Sequence, residues 1–472
     1  MTSARILLPV ALAAALCGCA AVGPDYAGAP AVTDPSVHAQ RLARDASAGT
    51  PAAPATSAWW LALNDPALND LVATALRASP TLHAAEARLR SARAALGKQQ
   101  ANGQPKAGAS ALGAGVWQAP GTSSESTIHL YSVGFDATWE LDLFGGTRRA
   151  TEAASAQAQA VQADLADAQV SLAAEVAQAY LGLRAQQRQQ ALLNETATLD
   201  TQALAFAKQR RARGVATDDE TEQRVQQAEA TQASLADVAA QVAVSLDRLA
   251  LLTAQAPGAL DERLATVSPG LPTPPQEVAV GDPTALLQRR PDIRAAERRL
   301  AQRTAQIGQQ KANYFPKLSL LGDIGFAGTD LGKLFTRNGL SLIGVPYLSW
   351  NALDFGRTAA AVHGAEADRD EAVANYQSAV LGALQDANGA LARFGQQRQV
   401  VQRLLAQQAS AQRTLDVVQR RRQAGVASEL DLLDARRHDA DAQRKSADGQ
   451  AELLKDFVAL HKSLGLGWQA PA

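Results

Sequence analysis

An offset of 211 residues (350 − 139 = 211) carries Trp139, Phe144, Gly145 and Thr147 onto Trp350, Phe355, Gly356 and Thr358. The same offset carries Gly214-Val215-Ala216 onto Gly425-Val426-Ala427, and Pro80 onto Pro291. The densest agreement lies upstream. There Ala84-Ala85-Glu86 returns as Ala295-Ala296-Glu297, Asn102 as Asn313, and Pro105-Lys106 as Pro316-Lys317, with no gap. A register kept over so many positions marks a tandem duplication, so whatever one half folds into the other must repeat. Each half reads helix, strand, strand, long helix, helix.

The strand-to-helix seam is the plainest local signal. Val133, Phe135, Ala137, Trp139 and Leu141 alternate with Ser132, Gly134, Asp136, Thr138 and Glu140. This is the period of a strand with one apolar and one polar side. After Gly145-Gly146 the alternation stops, and an Ala- and Gln-rich stretch without proline runs from Thr147 to Arg213. In the second half Leu318, Leu320, Ile324 and Phe326 share a face, as do Leu340, Leu342, Leu348 and Trp350; Ile343 and Val345 break the pattern.

These four stretches have at least the roughly 9–11 residues that a bilayer-crossing strand needs. Beyond the leader, the sequence contains no apolar run that qualifies as a spanning helix. A chain of this kind crosses a membrane only as a closed barrel, because an open sheet edge cannot sit in lipid. Four strands are too few to close one, eight being about the smallest number known. Membrane insertion and oligomerisation are therefore expected to be one event.

Residues 1–18 read as a signal peptide, with Arg5 as the positive flank and Ile6 to Leu16 as a short apolar core. Leu16-Cys17-Gly18-Cys19 resembles a bacterial lipobox, in which Leu stands three residues before the modified cysteine. Cys19 fits that spacing and Cys17 does not. Cleavage before Cys19 leaves one cysteine, acylated, and no internal disulfide. Two or more acyl chains anchor a protein stably. Ala20 rather than Asp follows Cys19, and the implied address is the outer membrane. The net charge of −1 offers no basic excess for nucleic acid.

Residues 19–60, rich in Ala, Pro, Gly, Ser and Thr, read as a lipidated tether. The first repeat is expected over 61–254, with strands at about 106–117 and 128–142, a long helix at about 147–213 and a return helix at about 217–252. A Pro-rich linker follows over 255–282. The second repeat is expected over 283–468, with strands at about 317–327 and 340–350 and helices at about 358–423 and 428–464. Sixty-seven helical residues span about 100 Å at 1.5 Å per residue. On the long helices, Leu165, Leu172, Val176, Tyr180 and Leu183, and Val380, Leu384, Ala387, Leu391 and Phe394, keep coiled-coil-like spacing. Gly214 and Gly425 turn each chain back, and Thr217 and Ser428 are the expected N-caps of the return helices.

Trp139 to Thr147, Arg290-Pro-Asp-Ile-Arg-Ala-Ala-Glu297, Tyr314-Phe-Pro-Lys317 and Ala424-Gly-Val426 together resemble the TolC-like outer-membrane efflux proteins. The lipobox and Gly23-Pro24-Asp25-Tyr26 resemble the lipoprotein branch that serves multidrug pumps of the RND type. The resemblance implies a mainly α fold with a membrane β-barrel. Coiled-coil hairpins form an α-helical barrel, and four β-strands per chain complete a twelve-stranded barrel as a homotrimer. It implies a passive conduit, not an enzyme, with no cofactor beyond covalent lipid, palmitate included, on Cys19. Its implied partners are a periplasmic adaptor (membrane fusion) protein, an inner-membrane pump and outer-membrane lipid, with no nucleic acid. By resemblance, Leu430, Asp434 and Arg437 lie at the periplasmic aperture. The turns at Gly214, Val215, Gly425 and Val426 contact the adaptor.

The physics of that aperture is coherent. Carboxylates converging on an axis repel one another, attract cations and are locked by arginines. Leu430 and Asp434 share a helix face at i, i+4, and Asp434 and Arg437 stand at i, i+3, which is equally the spacing of an ordinary surface ion pair. The first half has Asp219 and Gln223 at the matching positions, so the halves are not expected to gate alike. The six histidines show no ligand spacing on a helix face; His438 with Asp441 reads as surface, and no metal site is expected. Heavy-metal export, type I polypeptide export and a lipid-anchored scaffold without a pore are the alternatives to drug efflux.

Overall fold

A computed structural model describes residues 21–30, 42–43, 57–117, 127–265, 270–275 and 290–468. Cys19 and, within the Pro-rich linker, residues 266–269 and 276–282 lie outside the described residues. The main elements are helices α1 (Pro66–Ala78) and α2 (Pro80–Asn102), strands β1 (Lys106–Trp117) and β2 (Thr127–Leu141), and helices α3 (Gly146–Ala212), α4 (Asp218–Leu252) and α5 (Asp261–Leu264). Then come α6 (Pro291–Lys311), β3 (Lys317–Gly328), β4 (Leu340–Ser349), α7 (Arg357–Gln423) and α8 (Glu429–Ser463). The duplication is visible in their lengths. Strands β1 and β3 each have 12 residues, α3 and α7 each have 67, and α4 and α8 each have 35.

The chain forms two compact units, and each draws on both repeats. One gathers Ala87–Gln162 and Ala295–Ser378 with the described N-terminal segment; the other gathers Ala163–Arg294 and Ala379–Ala472 with the described part of Val32–Glu86. Among the described residues, no helix is long and apolar enough to cross a membrane.

The first unit holds one antiparallel sheet in the order β1-β2-β3-β4. Trp139 lies opposite Leu320, Phe135 opposite Ile324, and Ile324 opposite Leu342, so one apolar face runs across three strands. Ala109 and Ala111 extend it onto β1. Its side chains are bare: Phe135 is 66% exposed and Leu342 79%. An apolar sheet face of this size in water calls for a covering medium. The opposite face sets Asp136 against Asp323 and Ser319 against Glu140. Ile343 and Val345, the two residues that break the alternation, lie on this polar side, opposite Asp323 and Leu321.

Where strands meet helices, the repeat extends to single hydrogen bonds. The Trp139 indole N–H donates to the Gly103 carbonyl at 3.1 Å, and that of Trp350 to the Tyr314 carbonyl at 2.9 Å. Carboxylates cap both long helices. Asp142 accepts from the Thr147 and Arg148 amides at 3.0 and 2.8 Å, and Asp354 from the Gly356 and Thr358 amides at 3.0 and 2.8 Å. Gly145 (φ 80°) and Gly356 (φ 85°) take the left-handed conformation that makes the corner.

The N-terminal segment is fastened to this corner on one repeat. The Val22 amide donates to the Phe144 carbonyl at 3.1 Å. The Arg149 guanidinium donates to the carbonyls of Val22 and Gly23, at 3.2 and 3.3 Å, and to the Asp25 carboxylate at 2.6 Å. The Tyr26 hydroxyl donates to Glu297 at 3.1 Å. A Cβ on Gly23 would stand 2.3 Å from the Gly308 Cα, so this approach excludes any side chain.

The second unit is built on small-residue helix packing and an aromatic knot. Ala173, Ala177, Leu183 and Leu249 are buried, as are Trp59, Leu454 and Phe457. Asp65 caps α1 through the Ala67 and Leu68 amides and accepts from the Tyr180 hydroxyl at 2.7 Å. Arg290 donates to both Asp292 oxygens, at 3.0 and 2.6 Å, and to the Ser463 carbonyl at 2.9 Å, which ties the Arg290-Pro-Asp corner to the end of α8.

Candidate functional site

The α3–α4 and α7–α8 turns are built alike. Gly214 (φ 71°) and Gly425 (φ 76°) follow the last turns of α3 and α7. The Val215 amide donates back to the Arg210 carbonyl at 3.0 Å, and the Val426 amide to the Arg421 carbonyl at 2.9 Å. This is the left-handed glycine stop of a helix, which a residue with a Cβ adopts only under strain. The valine side chains that follow are exposed. Thr217 accepts from the Glu220 amide at 3.2 Å, and Ser428 from the Asp431 amide at 3.1 Å. Asp431 closes a capping box by accepting from the Ser428 amide at 2.7 Å, and that backbone bond holds its carboxyl below the usual range. Arginines leaving each long helix pair with acids entering the return helix: Arg210 with Glu220 at 2.8 Å, Arg211 with Asp218 at 2.5 Å, and Arg422 with Glu429 at 3.0 Å. Each pair puts cations at a helix C-terminus and anions at an N-terminus, as the helix dipoles favour.

One turn beyond these tips, the structure places Leu430, Asp434 and Arg437 along α8. They are not joined to one another. Leu430, 9% exposed, packs with Leu433 against Leu199 and Ala203 of α3, with Phe206 beside them. Asp434 receives a two-pronged bond from Arg224 of α4, at 2.6 and 2.8 Å. That bond is the largest influence on Arg224, and it holds the guanidinium above its ordinary value. Arg437 donates through Nε to Asp200 of α3 at 2.9 Å and lies 3.5 Å from Asp441. Asp200 is the hub: its side chain is 1% exposed, and it also accepts from Gln227 Nε2 at 2.6 Å and from the Thr231 hydroxyl at 2.7 Å.

The second repeat's return helix is therefore tied to the first repeat's hairpin by an apolar seam and two ion pairs. The converse contact is missing from the residue types. At the positions matching Leu430 and Asp434, the first repeat has Asp219 and Gln223, exposed and bonded to each other at 3.0 Å. Ala411 and Ala435 match Asp200 and Arg224. Arg224, Asp200, Gln227 and Thr231 are functional candidates that spacing along α8 does not reveal. The one sequence signal was a carboxylate, Asp200, inside an otherwise Leu- and Ala-rich helix face.

The sequence pattern described as outer membrane efflux protein matches residues 71–255 and again 283–466, once for each half. The chain is 32% identical over 416 residues to outer membrane protein OprJ of Pseudomonas aeruginosa, covering 87% of this chain and 86% of that one. It is 29% identical over 474 residues to the antibiotic efflux pump outer membrane protein ArpC of Pseudomonas putida, covering 98% and 96%. The solved structure of the outer-membrane channel OprN superposes with a TM-score of 0.83 at 33% identity, over 95% of this chain and all of that one.

Proposed function

From the membership of this chain in the outer membrane efflux protein family, we propose that it is the outer-membrane channel of a tripartite pump. It passes drugs or toxic small molecules, delivered by an inner-membrane pump through a periplasmic adaptor, out of the cell. The observation that carries this reading is the sheet: a bare apolar face, a polar face behind it and, among the described residues, two unpaired edges, β1 and β4. Those edges have no place in lipid until copies of the chain close them, and three copies give twelve strands. The protein is a passive conduit. Acyl chains on Cys19 hold it to the membrane, and the strap from Val22 to Tyr26 starts three residues from that cysteine.

The aperture residues act as latches of the closed end. Asp434 is held through Arg224, Arg437 through Asp200, and Leu430 through Leu199 and Ala203. The exposed turns at Gly214-Val215 and Gly425-Val426 are where the adaptor docks. The test is direct. The purified lipoprotein in a planar bilayer is expected to conduct ions as an oligomer that comes apart only on heating, and a strain deleted for it is expected to become more susceptible to drugs. A monodisperse single subunit that passes no current would instead describe an anchored scaffold without a pore.

A further inference from the structure

We infer that a second copy of this chain completes the sheet in the register dictated by the internal repeat, with Phe355 as the anchor of the seam between copies. This rests on the channel reading above and adds to it the residues that meet.

The 211-residue offset preserves strand pairing. Lys106 lies opposite Thr138 in the first hairpin, and Lys317 opposite Ser349 in the second, the same pairing moved by 211 at both ends. It also preserves the two tryptophan bonds to Gly103 and Tyr314. The contact between β2 and β3 is where the first repeat meets the second. Applied to that contact, the offset moves β2 onto β4 and sends β3 back onto β1, which must then belong to another copy.

Thr138 opposite Leu321 becomes Ser349 opposite the second copy's Ser110, and Ala137 opposite Gly322 becomes Leu348 opposite its Ala111. The faces agree without adjustment. Ser349 and Ser110 both come from polar faces, and Leu348 and Ala111 both from apolar ones. A slip of one residue would reverse every side chain across the seam. The register does not depend on how many copies close the ring.

The corner below the strands shows what holds each seam. Within the chain, Phe144 stacks on Phe315 with ring centroids 4.5 Å apart, Glu140 lies 3.8 Å from Lys317, and Arg149 clasps the N-terminal strap. Between copies, the offset puts Phe355 over Gln104, Asn351 beside Lys106, and Ala360 where Arg149 stood. The aromatic stack, the ion pair and the clasp are all replaced. Phe355 is left as the apolar contact, and in the single chain it is 97% exposed with a left-handed φ of 53°. A phenylalanine held in that conformation with nothing on its ring is explained by a surface on another copy. The seams between copies are accordingly weaker than the seams within them.

The experiment is disulfide trapping in membranes carrying the full-length protein. Ser110→Cys with Ser349→Cys is expected to give intermolecular links on oxidation that survive boiling without reductant. Leu112→Cys with Ser349→Cys, two residues out of register, is expected to give far fewer. Preferential linking of the second pair, or no links in protein that still conducts, overturns the register and leaves the channel reading intact. Protein that neither assembles nor conducts sinks both. Gln104→Phe, which rebuilds the stack at the seam, is expected to raise the temperature at which the oligomer dissociates in detergent by several degrees, and Phe355→Ala to lower it. An unchanged temperature in both removes Phe355 from the seam.

Discussion

Asp200→Ala is expected to raise the single-channel conductance of the assembled protein several-fold and to lower its thermal midpoint. Asp200 sits in a shell of three donors, Gln227, Thr231 and Arg437, with almost no solvent contact. Removing it leaves a part-buried guanidinium whose nearest remaining carboxylate is Asp441 at 3.5 Å. Breaking one side of a buried pair costs about 3–5 kcal/mol, far more than an exposed pair contributes. The loss falls on the tie between α8 and the first repeat's hairpin, so the end of α8 is released as well as destabilised. Arg224→Ala or Asp434→Ala removes the more exposed tie and is expected to act in the same direction with a smaller effect. Asp200→Asn keeps an acceptor for Thr231 while losing the charge, and should fall between. Planar-bilayer recording of the purified variants reads the order directly. Equal conductance in Asp200→Ala and wild type would reduce the hub to a packing feature.

That hub also shows where reading along the chain stops. The duplication, the four strands and the glycine turns were legible because each is a local pattern: a fixed offset, a period of two, a residue type that tolerates positive φ. Even the offset between the two seam tryptophans carried through to matching hydrogen bonds. The partners of Asp434 and Arg437 were not legible. At i, i+3 they look like each other's counterion, yet Asp434 takes Arg224, 210 residues away, and Arg437 takes Asp200, 237 residues away. Spacing on one helix says which side chains share a face; it does not say which helix covers that face. The strap is a second case. Gly23 and Gly308 are two glycines among 34 until the backbones are seen to touch.

Acidification should destabilise the wild-type protein more than His461→Phe. His461 lies in the aromatic knot, 5.2 Å from Trp59 in a stacked arrangement and 4.2 Å from Phe457, centroid to centroid. Its Nδ1 is 2.8 Å from the Phe457 carbonyl, which selects the tautomer with the proton on Nδ1. Burial pushes its pKa from 6.5 down to about 4, only partly offset by that carbonyl. The unfolded chain therefore takes up this proton before the folded one does. The stability that the neutral ring contributes is fully present above about pH 6.5 and is lost as the pH falls towards about 4, by roughly 3 kcal/mol in all. Asp167, Asp448 and Asp456 work against this at the acid end, because burial raises their carboxyl pKa values and the folded state binds their protons more readily. The wild-type profile mixes both effects, and the comparison with His461→Phe separates them. The variant keeps a ring against Trp59 and has nothing to protonate, so its midpoint should shift less between pH 7.5 and 5. Parallel shifts in the two proteins would mean that His461 gains its proton without cost to the fold.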